Sequence, residues 1–277
     1  NSGFSGTVGT DLLGNDPSLA ALSVDATSGQ SIHVIDSGSI AYNAATSSLA
    51  VEDQRGVARD GSPDIGAYEY VAPPELFAHY KFDAGSGATD SSVNGLNGVL
   101  QGDASVDTTT GTNQVGDGKL TLDGTGDYVD LSANVGSFAN LTAGTISTWV
   151  KLSSSDFSTI FDISDGATSN FASLWVENGN LTWAVNAGGS SLMRATSTAT
   201  INDDTWHHVA VTTDASGTSL FIDGIKLTGG DVTYSQGDAS TTTFFNDLTG
   251  PSSVKLGAYD IGSVGCEFTG LMDDIRV

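Results

Sequence analysis

The stretch "TWHHVAVTTDASGTSLFIDGIKL", residues 205–227, decides the fold. Apolar side chains recur at every second position through Val209 and Val211, and again through Leu220 and Ile222. That is the pattern of strands with one buried face. Asp223–Gly224 stands between two apolar runs and suits a two-residue type I′ turn, because both positions need positive φ and Asp and Gly tolerate it. The turn pairs Ile222 with Ile225 and Leu220 with Leu227, so a register follows from local chemistry alone.

The same reading extends outward. In "LWVENGNLTW" (174–183) the turn Asn178–Gly179 pairs Glu177 with Asn180, Val176 with Leu181, Trp175 with Thr182 and Leu174 with Trp183. Leu174, Val176, Leu181, Trp183 and Val185 then face a core. Trp175 falls on the other face beside Glu177, Asn180 and Thr182. Four more segments read as strands: "LFAHYKFD" (76–83), "KLTLDGTGDYVDL" (119–131), "GTISTWVKL" (144–152) and "STIFDIS" (158–164). In the first of these, Ala78, Tyr80 and Phe82 share one face and His79 and Lys81 the other. Trp149 reads as core and Trp206 as closing one end. The best helical candidate, "DPSLAAL" (16–22), is a turn or two at most. Many short strands between Gly and Asp turns predict an all-β, antiparallel sandwich rather than an α/β sheet.

Four motifs, in order over about two hundred residues, carry a family resemblance. "TWHHVAVTTDASGTSLFIDGIKL" resembles the W-H-H-V-A…D…G…L-Y-V-D-G signature of laminin-G-like, concanavalin A-like domains. "HYKFDAGSGATDSSVNGLNG" (79–98) is similar to their opening strand and loop, "LTLDGTGDYVDL" (120–131) to the next pair of strands, and "FTGLMDDIRV" (268–277) to the closing strand. The resemblance implies a jelly-roll β-sandwich over residues 77–277. A second resemblance covers most of residues 11–70. "EDQRGVARDGSPDIGAYEY" (52–70), with "NDPSLAAL" and "VIDSGS" before it, is similar to the closing segment of bacterial right-handed parallel β-helix proteins. It implies a β-helix coil or cap at residues 1–72, with 73–76 as linker around Pro73 and Pro74, where extended backbone is favoured. Arg55 and Arg59 lie among Asp53, Asp60 and Asp64, which predicts a paired-charge loop.

Composition narrows the partners. The chain has 277 residues with 9 basic and 33 acidic side chains, a formal net charge of −24, and 28 of the acids are Asp. Phosphate backbones and anionic lipid surfaces are repelled, which disfavours nucleic acid and membranes. Excess Asp over Glu fits turns rather than helices. Cys266 is the single cysteine, so no internal disulfide forms, and no apolar run approaches a membrane helix. Abundant Asp, Ser, Thr and Gly with little Lys point to a secreted or surface-attached bacterial protein, and the chain reads as an excerpt of a longer one.

Three chemistries compete for the site. Some relatives of the resembled fold cleave glycans, and its glucanases carry an E-x-D-x-x-E run that is absent here, as is G-x-S-x-G. His207–His208 is a weak base or ligand pair, because adjacent strand residues point to opposite faces. For metal, strict alternation in "FTGLMDDIRV" puts Asp273 on the apolar side with Leu271, Ile275 and Val277, where an ionised carboxylate is costly unless paired or coordinated. Similar domains hold calcium near this strand and the loop after the first strand. The resemblance therefore implies calcium on Asp90 and Asp273, completed by Asn94 or backbone oxygens, in a loop that also offers Asp83 and Asn97; the alternative is ordinary Asx turns, with Asp273 held by backbone N–H groups. For ligand, either Trp175 is a stacking surface, with Glu177, Asn180 and Thr182 bonding sugar hydroxyls, or the N-terminal segment or a second edge loop covers it. The resulting expectation is a non-catalytic recognition or adhesion module for neutral glycans or glycoprotein surfaces, with calcium support. A structural repeat unit contacting neighbouring copies, and a glycan-cleaving enzyme, are the alternatives.

Overall fold

The computed structural model describes residues 18–25, 28–45, 51–59, 61–70, 76–260 and 262–277. The chain divides into two compact units, Asn1–Glu75 and Leu76–Val277.

The first unit pairs β1 (Ser23–Val24) with β2 (Ser31–Ile32) in antiparallel fashion. Charge pairs hold the rest of its described residues. Arg55 bonds Asp53 at 2.7 Å, and Asp53 also accepts the N–H groups of Arg55, Val57 and Glu69. Burial pushes the Asp53 carboxyl up, but these hydrogen bonds outweigh it and hold the group below its ordinary range. Arg59 pairs with Glu69 at 2.8 Å, and Asp64 accepts the N–H groups of Asn43 and Tyr70. The paired-charge loop is present, with Glu69 as a partner that local sequence does not suggest. Asp60, residues 71 and 72, and residues 73–75 of the expected 73–76 linker lie outside the described residues. Residues 18–22 are not helical, which corrects the helical reading of 16–22 for its described part.

In the second unit the short strands β3 (His79–Tyr80), β4 (Val99–Gln101) and β5 (Ser105–Asp107) come first. Then follow β6 (Lys119–Asp123), β7 (Tyr128–Asp130), the one-turn helix α1 (Val135–Phe138), β8 (Gly144–Lys151) and β9 (Ser158–Ser164). The long middle strands are β10 (Phe171–Glu177), β11 (Asn180–Ala187), β12 (Ser190–Thr200), β13 (Trp206–Asp214) and β14 (Gly217–Ile222). The chain closes with β15 (Ile225–Lys226), β16 (Val232–Gln236), β17 (Ser253–Leu256), β18 (Tyr259–Asp260), β19 (Val264–Gly265) and β20 (Thr269–Arg276).

All of these strands except β18 and β19, which pair with each other, form two antiparallel sheets packed face to face, a jelly-roll sandwich. The front sheet runs β16-β12-β11-β10-β9-β17-β7-β4 and the back sheet β15-β14-β13-β8-β20-β6-β5, with β3 pairing β20. Opening and closing strands meet there, Tyr80 opposite Ile275. Both hairpin registers are as the turns predict. Leu174 faces Trp183 and Trp175 faces Thr182, with Asn178 and Gly179 at φ 52° and 81°. Ile222 faces Ile225, with Asp223 and Gly224 at 52° and 77°.

Leu174, Val176, Leu181, Trp183 and Val185 meet Ile146, Val150, Val209, Val211, Met272 and Ile275 of the back sheet in one buried core. Phe244 and Phe245 stack with centroids 4.1 Å apart and fill the space against Trp183. A side chain at Gly270 would drive its Cβ into the Lys151 carbonyl, so glycine is what lets β20 lie against β8.

Two positions depart from the sequence reading, which put Trp149 in the core and Asp273 on one face with Ile275. Trp149 is half-buried on the outer face of the back sheet, edge-on to His208 at 5.2 Å, because Ile146, Val150 and Leu152 take the inward positions. In β20 the register against β8 shifts between Asp273 and Arg276, and Asp274 adopts φ 53°. This bulge inserts one residue, so Met272 and Ile275 both face the core while Leu271 and Asp273 face outward. The expected grouping of Asp273 with Ile275 is thereby corrected.

Candidate functional site

The hairpin β10–β11 places Trp175, Glu177, Asn180 and Thr182 together on the outer face of the front sheet, as expected. The face is closed, however. Trp175 is only 2% exposed: Phe157 stacks on its indole at 5.0 Å and the Arg194 guanidinium lies 4.9 Å over the ring. Glu177 reaches Arg194 at 3.7 Å, Asn180 Nδ2 donates to the Ser197 and Ala199 carbonyls, and the Thr182 and Thr196 hydroxyls bond each other at 3.0 Å. An open stacking surface at Trp175 is corrected to a covered one. Trp175→Ala is expected to cost about 3 kcal/mol, because it empties a buried site under Phe157 and Arg194. A melting curve checks it; an unshifted midpoint would mean the indole is solvent-exposed after all.

The same face holds a carboxylate that the sequence does not single out. Asp162, on β9, is fully buried, and the two-stranded pair β18–β19 lies beside it. Its Oδ2 accepts the Ser164 hydroxyl at 2.9 Å, while its Oδ1 has no hydrogen-bond partner. Lys255 stands opposite on β17 but gives its ammonium to Ser253 Oγ and to Asp260 Oδ2. Burial pushes the Asp162 carboxyl up to about 8. The folded form therefore holds a proton that the unfolded chain loses near pH 4. Stability from this group is full in acid and declines as pH rises from about 4 to about 8. Melting curves at pH 5 and pH 8.5 should show this decline, and Asp162→Asn should flatten it; an equal slope in the variant would assign it elsewhere.

The implied calcium ligands do not fit one shared ion. Asp90 accepts the N–H groups of His79, Ser92 and Leu96, each at 2.8 Å, and the Ser92 hydroxyl at 2.7 Å. Burial pushes its carboxyl up, but these bonds prevail and leave it below the ordinary range. Its acceptor capacity is spent inside the protein. Asn94 is exposed and donates its side-chain amide to the Phe77 carbonyl. Asp273 Oδ2 accepts the N–H groups of Gln114 and Val115 at 2.8 and 2.9 Å, leaving only Oδ1 unpartnered. Burial raises the Asp273 carboxyl, opposed by those two N–H groups and reinforced by Asp274 and Asp83.

A different trio brings its oxygens together: Asp103, Asp123 and Asp127 offer carboxylate atoms within 4.8 Å of one another. Asp127 is buried and accepts the N–H groups of Asp103 and Asp123, so this cluster closes a turn and lines neither cavity of the back sheet. His207 and His208 part as expected. His207 bridges Asp223 at 2.9 Å and Asp203 at 3.3 Å and meets the exposed Thr205 hydroxyl at 3.3 Å, while His208 meets Trp149.

Among the described residues, one open feature is a cavity of about 440 Å³ on the outer face of the back sheet. Trp206, Lys151, Leu271 and Thr121 form its floor, and Asp107, Thr109 and Thr112 its wall. The floor is one cross-strand row: Trp206 faces Lys151, Lys151 faces Leu271, and Leu271 faces Thr121. Alternation assigns each of these residues to the outer face, but only the strand order lines them up. The wall is held by Lys119, 2% exposed, whose ammonium donates to Asp107 and Thr112 at 2.6 Å each. Lys119 holds the Asp107 carboxyl well below the usual carboxylate range. Trp206 Nε1 donates to the Thr112 carbonyl at 3.2 Å. A second cavity, of about 540 Å³, lies at the other end of the same face, around Phe221, Thr145 and Lys226.

With this sandwich in view, the chain belongs to the concanavalin A-like lectin/glucanases superfamily, whose family model matches residues 123–277, more than half its length. Comparison with curated protein sequences gives no match. Among solved structures, domain 4 of AbnA, a GH43 extracellular arabinanase from Geobacillus stearothermophilus in complex with arabinotriose, is similar at 20% identity and TM-score 0.51, covering 73% of this chain and 91% of that one. The Ruminococcus gnavus IT-sialidase CBM40 bound to α2,3-sialyllactose is similar at 20% identity and TM-score 0.48, over 57% and 88%. Domains LG4-5 of the mouse laminin α1 chain are similar at 17% identity and TM-score 0.36, over 47% and 34%. At these identities the likeness speaks for the fold. Among the described residues no helix is long and apolar enough to cross a membrane.

Proposed function

We propose that Leu76–Val277 is a non-catalytic carbohydrate-recognition module of a secreted or surface-attached bacterial protein, with residues 1–72 as the end of a β-helix. The carrying observation is the Trp206 cavity: an indole and aliphatic floor with a hydroxyl-bearing wall, in a fold whose arabinanase-domain counterpart was solved with arabinotriose. Two features support a role without chemistry. Among the described residues the carboxylate trio Asp103, Asp123 and Asp127 lies outside the cavity, and so does the Thr205 hydroxyl that meets His207, which is itself bonded to Asp203 at 2.7 Å. Adhesion to neutral glycans or glycoproteins suits a chain of net charge −24, since polyanions are repelled. The reading does not depend on calcium held by Asp90, Asn94 and Asp273.

The test is a panel of immobilised neutral and acidic glycans probed with the intact chain, with reducing-sugar release measured in parallel. Binding without release is the expected result. Release of sugar would replace this reading by glycan cleavage. Absence of binding together with concentration-dependent assembly in sedimentation would replace it by a structural unit contacting its own copies.

A further inference from the structure

We propose that the Trp206 cavity takes one neutral sugar ring, stacked by its C–H face on the indole and hydrogen-bonded at its edge by the Asp107–Thr109 wall. This rests on the recognition reading and specifies its ligand and residues.

The geometry carries it in three steps. First, the floor is one continuous cross-strand row. Trp206, Lys151, Leu271 and Thr121 come from four adjacent strands of the back sheet. Neighbouring strands lie about 4.8 Å apart, so the row spans about 14 Å and accommodates a ring lying flat with room for a linked neighbour. A sugar ring has one apolar C–H face and a hydroxyl rim, which matches an indole followed along the row by the aliphatic stem of Lys151 and by Leu271, with hydroxyls in the Asp107–Thr112 wall.

Second, the wall is built before any ligand arrives. Lys119 is buried and ties Asp107 to Thr112, Thr112 receives the Trp206 indole N–H, and Asp273 receives the Gln114 and Val115 N–H groups. The loop after β5 is thus fixed to the sheet from three sides, and little ordering entropy remains to be lost on binding. This also gives Asp273 a task that needs no ion: it is a positioning residue for the loop.

Third, the charges around the cavity cancel in pairs. Lys119 meets Asp107 at 2.6 Å and Lys151 meets Asp204 at 3.5 Å. An acidic sugar would find no unpaired cation at the buried end and a repelling field from the rest of the molecule. A neutral ring meets neither penalty.

The experiment uses the intact chain against oligosaccharides of glucose, galactose, xylose and arabinose, and against glucuronate- and sialate-bearing glycans, by titration calorimetry. Trp206→Ala is expected to weaken the neutral ligand about tenfold or more, and Phe221→Ala, in the second cavity, to leave it unchanged. Trp206→Leu keeps apolar volume and serves if the alanine variant does not fold; it should lose affinity similarly. Binding that survives both Trp206 changes overturns this site while the recognition reading stands. Preference for the acidic glycans overturns the neutral assignment alone. Wild type that binds no glycan overturns both.

Discussion

Trp183→Ala is expected to lower the unfolding free energy by about 3–5 kcal/mol, the range for emptying a large aromatic site in a packed core. The indole is fully buried between the sheets, with Phe244 at 6.1 Å and Phe245 at 6.4 Å between ring centroids. Neither phenylalanine can follow the lost volume easily, since the two stack on each other and Phe245 also stacks on Phe161 at 5.4 Å. A cavity therefore persists rather than collapsing. Urea unfolding of wild type and variant measures it through the shift in midpoint at constant slope. A loss below about 1 kcal/mol would show that the core repacks around the gap.

Asp90→Ala should be of similar size, about 3–5 kcal/mol, for a different reason. The carboxylate holds three backbone N–H groups and one hydroxyl in a buried turn, and each donor left unpaired costs about 1–3 kcal/mol. Asp90→Asn should cost less, because one amide oxygen still accepts. This pair also decides the metal question. If Asp90 acts only as an acceptor for protein donors, the loss is equal with calcium and with EDTA. If calcium raises the wild-type melting temperature and Asp90→Asn abolishes that rise, Asp90 is an ion ligand, and the saturated geometry is not its working state.

Turn chemistry acts over four residues, which is why so much of the sandwich was legible. Asn178–Gly179 and Asp223–Gly224 demand positive φ, and that demand alone set two registers residue by residue. Period two then sorted Leu174, Val176, Trp183, Val209 and Val211 onto the core side, where all are fully buried. Sequence also placed Trp175 on the correct face of its hairpin. It could not say that the face is covered, because Phe157 and Arg194 come from outside the hairpin, and burial is a property of what arrives from elsewhere in the chain.

Asp273 shows the same division within one strand. Its cost in an apolar setting was readable from "LMDDI", but the bulge that turns it outward is decided by how β20 pairs with β8, and its two N–H donors come from a loop far upstream. The Trp206 cavity lies wholly on the tertiary side. Each floor residue has an unremarkable outward position in its own strand, and only the order β13-β8-β20-β6 sets the four in line. Local propensity and turn geometry therefore determined strands, registers and the core. Which outer face is covered, which stays open, and where the lone carboxylates find partners were decided by packing between segments distant in sequence, because no local term carries that information.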